Sequence, residues 1–156
     1  MKKLNRKGFT LIELLAVIVI LAVVLVVTIP SVISSMNTAK GKQLQNAANT
    51  VTEWFTKQYE LATLGSDMVG TPDAAYTAFV NKLTDKKLPT SESGAATMSP
   101  EILKAAGLTD TNNIEGTVYL NGNKICIKLT ANDGSQFYNN ADSTKNIVLG
   151  PGCANS

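Results

Sequence analysis

From Phe9 to Ile29 the chain runs 21 residues with one charged side chain, Glu13. As a helix this stretch spans about 30 Å, the thickness of a bilayer's hydrocarbon core. A helix that is apolar all round has no place on the surface of a small water-soluble domain and needs lipid or other helices around it. Glu13 is therefore conspicuous. An ionisable group at the centre of such a span costs roughly 2.5–3.5 kcal/mol, less near its edge, and is by default a functional candidate. A basic leader precedes the run, with Lys2, Lys3, Arg6 and Lys7. A basic start and the uncharged apolar stretch Leu14–Val27 would also suit a secretory signal, but no small-x-small cleavage site closes the run and Glu13 interrupts it.

The remaining chain, about 120 of 156 residues, suffices for one small domain. Formal charge is +2, from 14 Lys+Arg and 12 Asp+Glu. Four of the cations sit in the first eight residues, so without them the balance is 10 against 12, or −2. The basicity belongs to the leader and argues for cytoplasmic retention of the amino end, not for a nucleic-acid surface. There is no histidine, which removes His-based triads and most zinc sites. No C-x-x-C, phosphate loop or dinucleotide fingerprint is present. No catalytic residue, metal or cofactor is expected.

Lys7-Gly8-Phe9-Thr10-Leu11-Ile12-Glu13 resembles the processing site of type IV prepilins and their pseudopilin relatives: a small residue, then Phe, then Glu five residues into the mature chain, then an apolar helix. The likeness is close over Met1 to Ser35 and general beyond. It implies that a prepilin peptidase removes residues 1–8, cutting between Gly8 and Phe9, and methylates the new amino group of Phe9. It implies that Glu13 neutralises the amino-terminal charge of a neighbouring subunit during assembly, as expected of a buried carboxylate that is costly alone and tolerable when paired. A Glu that snorkels to the interface or is protonated is the plainer alternative. The implied partners are further copies of the chain in a helical filament, the peptidase and a membrane assembly machinery. The chain would cross the membrane once with its amino end cytoplasmic, then leave it as a surface filament.

Pro30 closes the apolar run and is expected to kink or locally loosen the helix. Residues 9–35 then form the apolar helix and 36–156 a headgroup that includes the helix's second half. From Lys40 to Ala62 the apolar residues Leu44, Ala48, Val51, Phe55, Tyr59 and Ala62 share one face. Gly65 is the expected stop. Thr71-Pro72-Asp73 should start a helix reaching Lys87, burying Ala75, Phe79, Val80 and Leu83. Residues 88–97 read as a polar linker, and Ser99-Pro100-Glu101 as the start of a short helix ending at Gly107. The last third has strand period. Thr117–Leu120 and Asn123–Thr130 flank Asn121-Gly122, a type I′ hairpin signal, with Ile125, Ile127 and Leu129 facing the helix. Asn132-Asp133-Gly134 reads as a turn, and residues 136–138 and 146–149 as further strands. Asp133 and Asp142 lack calcium-loop spacing. The architecture is α+β, a long helix laid on a small antiparallel sheet, which matches the pilin headgroup layout.

Many type IV pilins close a carboxyl-terminal loop with a disulfide. A Cys126–Cys153 bridge would do so here and contribute roughly 3–4 kcal/mol. Alternation puts Cys126 with the lysines, on the outer face of the sheet. Two free thiols are the alternative if the surface is not oxidising.

These features admit three readings. The first is a structural subunit of a type IV pilus or related filament, serving adhesion, twitching motility or aggregation. The second is a pseudopilin of a type II secretion or competence DNA-uptake system. A DNA-binding pilin should show basic residues interleaved with aromatics, whereas the lysines here are scattered and no arginine occurs beyond Arg6. The third, a membrane-anchored enzyme, lacks a motif to support it.

Overall fold

The computed structural model describes residues 10–64, 70–109, 111–131 and 147–153. The chain divides into two compact units, Met1–Met36 and Asn37–Ser156. One helix, α1 (Leu11–Leu64, 54 residues), has residues in both.

In the first unit every described residue is exposed. The large apolar side chains here are all at least half exposed, from Val24 at 50% to Leu11 at 84%. Two of its polar side chains turn onto the helix itself. The Thr28 and Ser35 hydroxyls donate to the Leu25 and Ser31 carbonyls, at 3.4 and 3.0 Å. Such back-bonding lets a hydroxyl enter an apolar medium without losing its partner. Pro30 lies inside α1, and the helix continues on both sides of it. The proline has no N–H for the Val26 carbonyl, yet the expected loosening does not interrupt the helix.

The second unit is the α+β headgroup. Among the described residues the sheet has four antiparallel strands in the order β1 (Ala96–Met98), β2 (Ile114–Asn121), β3 (Lys124–Ala131) and β4 (Ile147–Leu149). Leu44, Ala48, Val51 and Phe55 of α1 are buried, at spacings of three and four. They join Val118, Leu120, Ile125, Ile127 and Leu129 in one core cluster. The expected stripe thus holds through Phe55. Tyr59 is half-buried and Ala62 exposed, because α1 outruns the core at its carboxyl end.

The short helix α2 spans Ala74–Asn81. Its N-cap is Asp73, whose Oδ1 accepts from the Ala75 N–H at 2.7 Å, so the cap is not Thr71 and the helix starts two residues later than expected. It also ends six residues early. Asp85 and Lys86 adopt left-handed φ values of 58° and 52° in a 3₁₀ turn, Thr84–Lys86, and the chain then extends so that Leu88 reaches the core. The buried residue of α2 is Tyr76, while Ala75, Phe79, Val80 and Leu83 are half-buried against the cluster. Phe55, Trp54, Tyr76 and Phe79 meet edge-on, with ring centroids 5.1–6.2 Å apart. Gln58, buried on α1, accepts from the Asp73 N–H at 2.7 Å and ties α1 to the start of α2.

Residues 88–97 are not simply a linker. Ala96–Met98 forms the edge strand β1, with Ala96 opposite Val118 and Met98 opposite Gly116. Helix α3 (Pro100–Ala105) comes next, with Ser99 at the N-cap and Gly107 after its end, as expected. The hairpin turn is Gly122-Asn123, since Asn121 pairs with Lys124. Only the first loop residue has positive φ (+61°), the pattern of a glycine-first type II′ turn and not the expected type I′. The expected features at Gly65, at 132–134, at 136–138, and at Asp133 and Asp142 lie outside the described residues.

Candidate processing and assembly site

The amino-terminal end of α1 is held by its own side chains. Thr10 is the last residue before the helix, and Glu13 is in the first turn. Glu13 Oε2 accepts from both the Thr10 backbone N–H and the Thr10 hydroxyl, each at 2.8 Å. The Thr10 Oγ1 accepts in turn from the Glu13 N–H at 3.3 Å. This is a capping box, in which a Thr and a Glu three residues on satisfy each other's backbone donors. A carboxylate there also faces the positive end of the helix dipole. Thr10 is thus a site residue that the sequence alone did not single out. The T-x-x-E spacing is its signal, obscured because Glu13 stands out for its charge alone.

Gly8 and Phe9 lie outside the described residues, so the geometry begins one residue past the expected cut. From Leu11 to Met36 the helix presents apolar side chains on all sides, with Leu11 84% and Val26 74% exposed. α1 is long and apolar enough to cross a membrane. Its surface can be covered by lipid or by helices of the same kind, with the Thr10–Glu13 pair at one end.

Residues 3–29 match the family model for the prokaryotic N-terminal methylation motif. The chain begins with the class III signal peptide of type IV pilins and pseudopilins. No curated protein and no solved structure matches the chain. The motif covers both Glu13 and the Gly8–Phe9 bond, and stops one residue before Pro30. It supports a type IV pilin-like or pseudopilin precursor.

The other candidate residues lie in the headgroup. Cys126 and Cys153 form a disulfide, with Cα atoms 4.6 Å apart. It sits on the outer face of the sheet, as alternation indicates, yet Cys126 is only 1% exposed. The cover is the 3₁₀ turn Pro151–Cys153, which packs on β3. Gly152 lies so close to the Ile125 carbonyl that a Cβ would overlap it. The Gly150 N–H donates to the Ile127 carbonyl at 2.8 Å, and Gln45 of α1 donates to the Leu149 carbonyl at 2.9 Å. The carboxyl-terminal segment is thereby fastened to the sheet and to the helix. On the same face Lys128 pairs with Glu92 at 3.1 Å, an exposed ion pair of small energetic weight.

Proposed function

We propose that the chain is the precursor of a structural subunit of a type IV pilus or related surface filament. The observation that carries this reading is the methylation motif over residues 3–29. In this reading a prepilin peptidase cuts after Gly8 and methylates the amino group of Phe9. The subunit waits in the bilayer as a single-pass protein with its amino end cytoplasmic. An assembly machinery then draws it into a helical filament, where the apolar halves of α1 bundle and the headgroups face outward.

The Thr10–Glu13 box supports a specific sequence of events. In a low-dielectric medium a lone carboxylate is costly, and two hydrogen bonds from Thr10 reduce that cost while the subunit is alone. On assembly, the amino terminus of a neighbour supplies a full positive charge to the same carboxylate. Glu13 then exchanges an internal partner for an external one, which favours docked over free subunits. Pro30, lacking a helical donor, is the place where α1 yields most easily as helices pack.

The intact mass of the protein in material sheared from cells tests the reading. A chain that starts at Phe9 and carries one extra methyl group is the expected result. The same motif belongs to pseudopilins. A matured chain confined to the membrane fraction would favour a short pseudopilus, and a chain beginning well after Pro30 would overturn both readings.

A further inference from the structure

The hairpin turn holds a chemically reactive pair, Asn121 followed by Gly122. Asn121 ends β2 opposite Lys124, and Gly122 comes next at φ +61° with open space on the side where a Cβ would point. In a two-residue hairpin loop the ladder bonds belong to the closing pair, so the Gly122 N–H stands outside the ladder. Glycine also lacks the side chain that would otherwise crowd its own peptide nitrogen. The Asn121 side chain lies on the outer face, lining a cleft of about 190 Å³ with Tyr119, Lys128 and the Cys126–Cys153 bridge.

We propose that Asn121 is a site of spontaneous covalent modification, deamidation through a cyclic imide with Gly122. The Gly122 nitrogen attacks Asn121 Cγ. The N–Cγ bond forms, the Cγ–Nδ2 bond breaks, and ammonia leaves with the proton of the Gly122 N–H. Water then opens the ring. Addition at Cγ restores the backbone and leaves aspartate at position 121. Addition at the backbone carbonyl leaves isoaspartate, with the main chain rerouted through the side chain. One water enters, one ammonia leaves, and nothing is oxidised or reduced.

The surroundings suit the product. Lys124 is directly opposite on the same face, and Lys128 lies further along that face. An opposite charge across an antiparallel pair is favourable, so a new carboxylate at 121 gains a partner the amide did not have. Strand pairing holds Asn121 extended, away from the ring-closing conformation. Reaction therefore proceeds when the hairpin end frays, and folding slows it without abolishing it.

The test uses the full chain in detergent at mildly alkaline pH, with peptide mapping and isoaspartyl methyltransferase labelling as readouts. Acid should replace amide at Asn121 sooner than at Asn112 or Asn113, neither of which precedes a glycine. Because Asp133-Gly134 can form the same imide, the methyltransferase label is read on the peptide that carries position 121, where it should vanish in Asn121→Gln, whose longer side chain closes the ring poorly. The reduced, denatured chain should convert faster than the folded one. If Asn121 keeps its amide in the folded chain while the denatured chain converts, the hairpin protects it and the proposal fails. A label that persists on the position-121 peptide of Asn121→Gln overturns it equally.

Discussion

Glu13 carries two demands at once: it caps the helix of its own chain and, in the proposed function, meets a neighbour. Separate substitutions distinguish them. Thr10→Val removes the hydroxyl but not the carboxylate, and should cost about 1 kcal/mol of helix-end stability while filaments persist. Glu13→Ala should leave cleavage largely intact, read by mass, while depleting the sheared filament fraction. Equal loss in both variants would assign Glu13 to capping alone. In the headgroup, burial pushes the Tyr76 hydroxyl up to about 12, with a smaller contribution from Tyr59. A raised pKa means that the folded state holds its proton longer than the unfolded chain does. The contribution to stability is complete below pH ~10 and is lost as pH rises from ~10 to ~12. Tyr76→Phe should flatten the fall in melting temperature over that window. An unchanged alkaline slope would place the titration elsewhere.

Among the elements, those with strong periodicity are legible in the sequence and the short ones are not. The apolar stretch, the one-sided stripe to Phe55 and the two long strands emerge from residue spacing, because burial on one face leaves a repeating trace. β1 leaves none. It is three residues long, reads Ala-Thr-Met, and is a strand only because β2 lies beside it. The end of α2 departs from expectation for a related reason. Lys82 to Lys87 suits a helix carboxyl end, but Leu88 must reach the core, and that tertiary demand forces the left-handed turn at Asp85 and Lys86. The hairpin turn lies one residue beyond its expected place since Asn-Gly satisfies two registers, and the pairing of Asn121 with Lys124 selects one. At the candidate site, the sequence singles out Gly8, Phe9 and Glu13 by resemblance, whereas Thr10 is hidden behind its neighbour. For α2 itself, Asp73→Ala removes the cap and should cost about 1 kcal/mol, lowering the headgroup's unfolding midpoint. No change would mean that Gln58, which accepts from the Asp73 N–H, holds the helix start by itself.

For the whole molecule, the headgroup is closed by one covalent link and several fitted contacts around it. Cys153→Ser removes the link and should cost roughly 3–4 kcal/mol. Thermal unfolding with and without reductant measures this on the unaltered chain. Gly152→Ala leaves the cysteines in place but drives a methyl against the Ile125 carbonyl, and should cost about 1–3 kcal/mol by overpacking. A variant as stable as the parent would mean that the segment shifts freely beneath the bridge.

The bridge also has a mechanical meaning. A thread loaded from its ends passes force through whichever bonds join its parts. With Cys126 and Cys153 tied 27 positions apart, tension reaching Cys126 crosses directly to Cys153. The chain between them, about 90 Å when fully drawn out, cannot lengthen under load. A pulled headgroup that loses its other contacts would therefore stop short by that distance, and a reducing agent would release it.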